Sequence, residues 1–275
     1  MTGAVVSFIS MAVAGRAVSL ELDTFELMTY RSMIGVLLVL TIAGAAGTLG
    51  QVRVDRLGLH IVRNLFHFTG QNLWFFAIAT IPLAQVFALE FTSPIWVALA
   101  APLLLAERLT RMRIVAAILG FVGVLVVARP MIDGVGTGQI AAAAAAIGFA
   151  GSIVFTKILT RTESITCILF WLAVTQTIFG LICAAHDGRM ALPSATTAPW
   201  LVLIGCAGLS AHFCLTTALS VAPATLVVPM DFARLPLIAL IGMLFYAEPF
   251  DIYVLVGAAI IFGANYLNLW YESRR

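Results

Sequence analysis

Charge is scarce in this 275-residue chain: only 10% of its residues are Asp, Glu, Lys or Arg, while 62% are hydrophobic. A soluble domain of this size needs a polar outer surface, which such a composition cannot supply. In a bilayer every backbone polar group must be bonded internally, and helices are the general solution. The net charge of +2 gives no reason to expect nucleic acid as a partner. The sequence therefore predicts an all-α integral membrane protein.

Cysteine pairs and catalytic motifs are also missing. The four cysteines lie in apolar stretches without Cys-x-x-Cys spacing (Cys167, Cys183, Cys206 and Cys214). The chain contains no His-Glu-x-x-His, no Gly-x-Ser-x-Gly and no Gly-rich phosphate loop ending in Lys-Ser/Thr. We therefore expect no metal site, no cofactor and no enzymatic activity, and a lipid-modifying membrane enzyme is only a remote alternative.

What the chain has instead is a series of ten apolar segments, most of them close to the roughly 20 residues that cross a bilayer. They cover 3–20, 25–45, 57–79, 82–105, 112–128, 139–158, 164–185, 198–220, 223–246 and 250–270. Lys and Arg concentrate in the loops of one side, from Arg53 and Arg56 to Arg274 and Arg275. Cytoplasmic loops carry such an excess. We predict ten transmembrane helices with both termini in the cytoplasm.

The two halves of the chain resemble each other when one is shifted by 141 residues. Eight of the 26 positions in 82–107 are then identical to their counterparts in 223–248, against roughly two or three expected by chance in so apolar a sequence. The shift aligns Glu90 with Asp231, and Arg16 with Lys157. The sequence thus predicts two five-helix repeats, at 1–135 and 138–275.

An odd number of helices in each repeat requires the second repeat to lie upside down relative to the first. The loop AERLTRMR (106–113) is basic, whereas its counterpart AEPFDIYV (247–254) has no basic residue and two acids. Inverted repeats around a central cavity are typical of secondary transporters that work by alternating access. The alternative is a duplicated scaffold without a transport role.

Three stretches resemble the drug/metabolite transporter superfamily, in its EamA-type branch of ten-helix carriers. They are TFELMTYRSMIG (24–35), AERLTRMRIVAAILGFVGVLVVARP (106–130) and YAEPFDIYVLVGAAIIFGANYL (246–267). The resemblance implies an inner-membrane carrier of small organic solutes, often an exporter of amino acids or other metabolites. It also implies a cavity between helices 1, 3, 4 and 6, 8, 9. The second half departs from the family pattern with SITCILFWLA (164–173), so helix 7 is expected to differ from helix 2 in packing or gating.

One face of the third segment is polar, with residues spaced by one, three or four positions: His60, Arg63, Asn64, His67, Gln71 and Trp74. Such a face does not point at lipid. We expect His60 and Arg63 to reach toward the cytoplasm, and His67, Gln71 and Trp74 to line a substrate cavity. His212, on the matching face of the eighth segment, is either a further substrate ligand or bonded to a backbone carbonyl.

Glu90 and Asp231 are carboxylates deep inside the fourth and ninth segments. Asp231 has Arg234 three residues on, near enough to pair, so these two form an ion pair or a substrate-binding clamp for a zwitterion. Glu90 has no cation three or four residues away. We therefore expect Glu90 to be unpaired, with no charged partner on its own helix, and to carry the coupled proton. The possible partners from the third segment are His67 and Arg63, which only the packing of the helices could bring close.

Prolines follow both carboxylates. Pro94 and Pro236 each remove a helical hydrogen bond close to the carboxylate and are predicted hinges, the alternative being that they only shape the bundle. These features predict a secondary transporter that moves an amino acid or related amphipathic metabolite across the inner membrane, most simply by proton-coupled export. An uncoupled facilitator or exchanger is the alternative. The expected partners are a small-molecule substrate and the lipid bilayer, and both monomer and dimer stay open.

Overall fold

The computed structural model describes residues 1–104, 111–129, 135–185, 190–222, 224–227, 231 and 234–273. These residues form α1 (Thr2–Val18), α2 (Thr24–Ala45), α3 (Leu57–Thr80), α4 (Leu83–Glu90), α5 (Ser93–Leu104), α6 (Arg111–Ala128), α7 (Thr137–Leu159), α8 (Ile165–Ala184), α9 (Ala198–Val221), α10 (Ala224–Val227), α11 (Arg234–Tyr246) and α12 (Ile252–Ser273), with one 3-10 turn at Leu49–Gln51. Each of the ten apolar segments is a single helix, except the fourth (α4 and α5) and the ninth (α10 and α11).

Five helical stretches are long and apolar enough to cross a membrane by length and composition alone: Thr24–Ala45, Leu83–Ala100, Thr137–Leu159, Ile165–Ala184 and Ala198–Val221. Shorter apolar helices occur at Thr2–Val18, Ile114–Ala128, Arg234–Tyr246 and Ile252–Asn268. α3 is as long as any of them, but its polar face makes it less apolar. The predicted all-α membrane fold is confirmed.

Hydrogen bonds from side chains at helix ends show which helix ends lie on the same side of the bundle. Arg16 at the end of α1 bonds to Ile81 after α3 and to Glu248 after α11. We call this side of the bundle the Glu248 end. At the opposite side, which we call the Met1 end, Lys157 bonds to the carbonyl of Ala222 after α9. Successive segments therefore run in opposite directions, as ten membrane crossings require.

The main helix contacts join the first half of the chain to the second: α1 with α9, α2 with α8, α3 with α7, and α6 with α12. Two of these pairs depend on glycine. A Cβ on Gly148 of α7 would lie 2.8 Å from Gly70 Cα of α3, and a Cβ on Gly123 of α6 would lie 2.8 Å from the Gly257 carbonyl of α12. Glycine thus permits close contact between α7 and α3 and between α6 and α12. The division into repeats at 1–135 and 138–275 stays a prediction.

The fourth segment is interrupted beside its carboxylate. α4 ends at Glu90, α5 begins at Ser93, and Pro94 lies in the first turn of α5, where a missing N–H breaks no bond. In the ninth segment α10 (Ala224–Val227) and α11 (Arg234–Tyr246), which contains Pro236, flank Asp231, and residues 228–230, 232 and 233 lie outside the described residues. The loosening predicted beside Pro94 is therefore a complete break, while the hinge function of both prolines stays a prediction.

Candidate functional site

A central cavity of about 780 Å³, counted with its open side, extends from the middle of the bundle toward the Met1 end. Its walls come from segments one, three, four, six, eight and nine, the set that the family resemblance implies. The lining includes the predicted residues His67, Gln71, Trp74, Glu90, Pro94, His212, Asp231 and Arg234, together with Met1, Phe8, Arg63, Phe91, Phe149, Thr156 and Thr216. Pro236 belongs to a different pocket, near Glu248.

Glu90 is paired, contrary to the prediction. Arg234 Nη2 donates to Glu90 Oε1 at 3.0 Å and also to Asp231 Oδ2. Trp74 Nε1 donates to the other oxygen, Glu90 Oε2, at 2.7 Å. The local spacing of charges along one helix hides this arrangement, because Arg234 and Glu90 are 144 residues apart. The partners expected from the third segment, His67 and Arg63, are not the ones bonded to Glu90; the third segment supplies Trp74 instead.

The guanidinium of Arg234 is held by rings as well as by carboxylates. It is only 3% exposed and lies 4.6 Å from the ring centroid of Phe8, 5.1 Å from Phe87 and 5.6 Å from Phe91. A buried cation needs both compensating charge and close packing. Arg234 therefore joins the helices of both halves at the blind end of the cavity.

Two histidines meet across the cavity. The rings of His67 and His212 are 4.5 Å apart at 89°. His67 Nε2, both ring nitrogens of His212, Gln71 Nε2 and Thr216 Oγ1 are buried, and none has a hydrogen-bond partner within the described ranges. A buried polar atom left without a partner is costly. These atoms are the natural anchors for a polar ligand, and the carbonyl bond considered for His212 is not formed.

Arg63 is a cavity residue rather than one that reaches toward the cytoplasm. It is 2% exposed, and it donates to Thr156 Oγ1 at 2.9 Å and to Asn64 Oδ1 at 2.6 Å. His60 is fully buried. The expectation for both residues was wrong because α7 and α8 pack against α3 and cover its polar face. The polar face of the third segment could have identified Arg63 as a cavity residue. No sequence pattern marks Phe149 and Thr216 as cavity residues.

The cavity combines aromatic walls with a balanced charge. Trp74 packs against Phe87 with ring centroids 5.8 Å apart, and Phe149 lies 6.0 Å from His67. The ionised side chains of the lining are Arg63, Arg234, Glu90 and Asp231, whose formal charges sum to zero. Such a site suits a ligand with a flat apolar body, polar edges and little net charge.

Comparisons with known proteins agree with this architecture. The sequence model of the EamA-like transporter family matches residues 1–129 and 136–270. A riboflavin transporter of Brucella anthropi is 33% identical over 86% of this chain and 84% of its own length. A riboflavin transporter of Rhizobium johnstonii is 34% identical over 78% and 71%. An S-adenosylmethionine uptake transporter of Rickettsia bellii is 25% identical over 92% and 86%.

The fold has a solved counterpart as well. A crystal structure superimposes with a TM-score of 0.73, covering 99% of this chain and 96% of the other, at 19% identity. At that identity the likeness concerns the fold alone. The family match over nearly the whole length and the relatives above 30% identity lead to one conclusion: this chain belongs to the EamA-like transporter family and is a multi-pass membrane transporter of a small metabolite, not an enzyme.

Proposed function

We propose that this protein takes up a neutral, planar heteroaromatic metabolite across the bacterial inner membrane, with riboflavin as the first candidate. The observation that carries the proposal is the cavity itself, with aromatic walls, unpartnered polar atoms and charges that sum to zero. The isoalloxazine ring of riboflavin is flat and apolar on its faces and has hydrogen-bond donors and acceptors along its edges. Relatives named for riboflavin transport support the same choice.

The charge of the cavity favours riboflavin over the other candidates. S-adenosylmethionine carries a net positive charge, whereas the charged side chains of the lining as a whole sum to zero. An amino acid needs separate anchors for its ammonium and carboxylate groups, but Glu90 and Asp231 are already bonded to Arg234. Uptake is proposed instead of the export expected from the family resemblance because the named relatives include uptake transporters.

Proton coupling remains part of the proposal in a changed form. Two carboxylates share one arginine, so the group formed by Glu90, Asp231 and Arg234 has one surplus negative charge. Taking up one proton would neutralise that surplus without leaving a buried cation unpaired. Glu90 or its counterpart Asp231 is thus the proposed proton carrier, and uncoupled facilitation is the alternative.

Transport by proteoliposomes tests the substrate. We expect saturable uptake of labelled riboflavin that excess lumiflavin inhibits and that amino acids and S-adenosylmethionine do not. His212→Ala should lower it by about 5- to 150-fold, since a lost hydrogen bond in a buried site costs about 1–3 kcal/mol, while Leu192→Ala on the surface should leave it unchanged. Amino-acid counterflow without riboflavin uptake would overturn the assignment.

The same preparation tests coupling. An inward proton gradient should drive riboflavin accumulation by the wild type, while Glu90→Gln should exchange riboflavin without accumulating it. Riboflavin uptake by the wild type that stops at equal inner and outer concentrations, with or without the gradient, would establish the uncoupled alternative.

The proposed orientation places both termini, and the open side of the cavity, in the cytoplasm. Val54 and Leu192 are exposed at opposite ends of the bundle, 66% and 84% respectively. In intact cells a membrane-impermeant thiol reagent should label Leu192→Cys and spare Val54→Cys, with exposed Cys206 replaced by Ser in both. The reverse pattern would invert the topology.

A further inference from the structure

A cluster of three metal-ligating side chains lies at the Met1 end, outside the central cavity. It joins His60 in the second turn of α3, Cys167 in the first turn of α8, and Glu163 just before α8. The imidazole nitrogen, the thiol sulfur and a carboxylate oxygen all lie within 4.8 Å of one another. His60 and Cys167 are buried and Glu163 is half-buried. Water can therefore reach the three ligand atoms only from the side of Glu163.

The separation of the two buried ligands is close to that required by zinc. His60 Nε2 and Cys167 Sγ are 3.9 Å apart. With bonds of about 2.3 Å to sulfur and about 2.05 Å to nitrogen at a tetrahedral angle, the two atoms would be about 3.6 Å apart. A shift of a few tenths of an ångström would therefore bring both onto one ion.

The backbone of Arg53 fixes the position of the sulfur. The backbone N–H of Arg53 donates to Cys167 Sγ at 3.4 Å, and the thiol donates to the Arg53 carbonyl at 3.6 Å, so metal binding would displace the proton of this second bond. The guanidinium of Arg63, one turn along α3, is committed to Thr156 and Asn64. The positive charge nearest the cluster on α3 is thus bonded elsewhere.

His60 provides an independent sign of an unmet partner. Its side chain is fully buried, Nδ1 has no hydrogen bond within the part of the chain that the structure describes, and Nε2 has a long contact with Cys167 Sγ at 3.9 Å. A buried imidazole usually has a good hydrogen-bond partner for at least one nitrogen. Metal ligation would replace the long contact between Nε2 and the sulfur with two short bonds to one ion.

We propose that His60, Cys167 and Glu163 bind a zinc ion, with water as the fourth ligand. The nitrogen, sulfur and carboxylate donors suit zinc and exclude magnesium and calcium. The thiolate and the carboxylate balance the two positive charges, and binding releases the thiol proton to solvent. The cysteine spacing in the sequence hid this site because Cys167 and His60 are 107 residues apart.

The position of the site gives it a consequence for transport. It ties α3, which carries the cavity residues Arg63, His67 and Gln71, to α8 of the other half. A bound ion would hold these two helices together at the Met1 end. We expect zinc to slow transport by resisting the relative motion of the two halves.

Cobalt binding by the metal-free full-length protein in detergent tests the site without any substrate. Cobalt(II) should bind once per chain, produce a thiolate-to-cobalt charge-transfer band in the near ultraviolet, and quench Trp171, whose ring lies 6.3 Å from His60. Zinc should displace it. Cys167→Ser should abolish the band, Glu163→Gln should weaken binding more than about tenfold, and the matched control Cys206→Ser should bind as the wild type does.

Two results would overturn the proposal: absence of the charge-transfer band in the wild type, or its persistence in Cys167→Ser. Because Glu163 is half-buried, Glu163→Gln tests the site even if the buried Cys167→Ser variant misfolds. Wild-type cobalt affinity in a monodisperse Glu163→Gln protein would also overturn the proposal. Because no substrate is present, these outcomes are independent of the riboflavin assignment.

Discussion

Two corners of the molecule are built alike around different cations, an arginine in one and a lysine in the other. Arg16 in the last turn of α1 donates to the carbonyls of Ile78 and Ile81, at 2.8 and 2.5 Å. Lys157 in the last turn of α7 donates to two carbonyls exactly one repeat later, at 2.8 and 2.9 Å: Leu219 and Ala222. In each corner a cation caps the C-terminus of a long helix, where the backbone carbonyls carry partial negative charge.

The difference lies in the cation, which is arginine at the Glu248 end and lysine at the Met1 end. Arg16 Nη1 pairs with Glu248, which also accepts from Leu83 N at 2.9 Å. A guanidinium can bond carbonyls and a carboxylate together, because its donors point in several fixed directions. The counterpart of Glu248 is Glu107, which lies outside the described residues. The corner with arginine thus locks α1, α4 and α11 together at the end of the bundle opposite to the opening of the cavity.

The largest effect should come from removing the arginine. Arg16→Ala leaves Glu248 and two carbonyls without their partner and should lower the free energy of unfolding by about 3–5 kcal/mol. Lys157→Ala loses a helix cap and should cost about 1–3 kcal/mol. Thermal unfolding in detergent compares them, and an equal loss in both variants would contradict the difference drawn between the two corners.

A smaller effect should follow from displacing the carboxylate. A Cβ at position 242 would collide with the carboxylate of Glu248, so Gly242→Ala should cost about 1–3 kcal/mol by overpacking. Gly263→Ala is the matched control, because nothing lies within 4 Å of its Cβ. Thiol labelling at Leu83→Cys should rise in the Gly242→Ala background only. Unchanged labelling and stability would show that Glu248 does not close this end.

Arg16→Lys sharpens the comparison by converting one corner into the other. Lysine can keep the two carbonyl bonds but has a single nitrogen for all of its partners. We expect a loss between those of wild type and Arg16→Ala, about 1–2 kcal/mol, measured by the same thermal unfolding. A loss as large as that of Arg16→Ala would mean that the carbonyl cap contributes little.

The smallest effect concerns pH at the Glu248 end. Hydrogen bonds from Thr197 and Ser194 lower the pKa of Glu21 below its ordinary value of 4.5. Because the folded pKa is the lower one, this contribution is present above the ordinary pKa and is lost as pH falls through the folded pKa. Glu21→Gln should therefore flatten the melting temperature below about pH 4.5, whereas Asp55→Asn, exposed at the Met1 end, should not. An unchanged acid profile in Glu21→Gln would remove the role of this contact.

The sequence was sufficient for the helices and insufficient for their cross-contacts. Segment ends agree within a few residues because polar and Pro/Gly-rich breaks separate runs long enough to span lipid, and Pro94 signalled the interruption between α4 and α5. The partner of Glu90 could not be found that way, since Arg234 approaches from the other half. The burial of His60 and Arg63 was also hidden, because a polar stripe does not reveal which helices cover it. The hydrogen bonds of Arg16 and Lys157 share the 141-residue offset found in the sequence, and the division into two repeats stays a prediction.

The arginine shared by Glu90 and Asp231 constrains how this chain can have arisen from a duplication. Position 93, the counterpart of Arg234 in the first half, is Ser93. Two copies of the first half would bury two glutamates with no arginine between them. Two copies of the second half would bury two arginines against aromatic rings, with no Glu90. The buried charge of Glu90 is therefore balanced only when both halves of the chain are present.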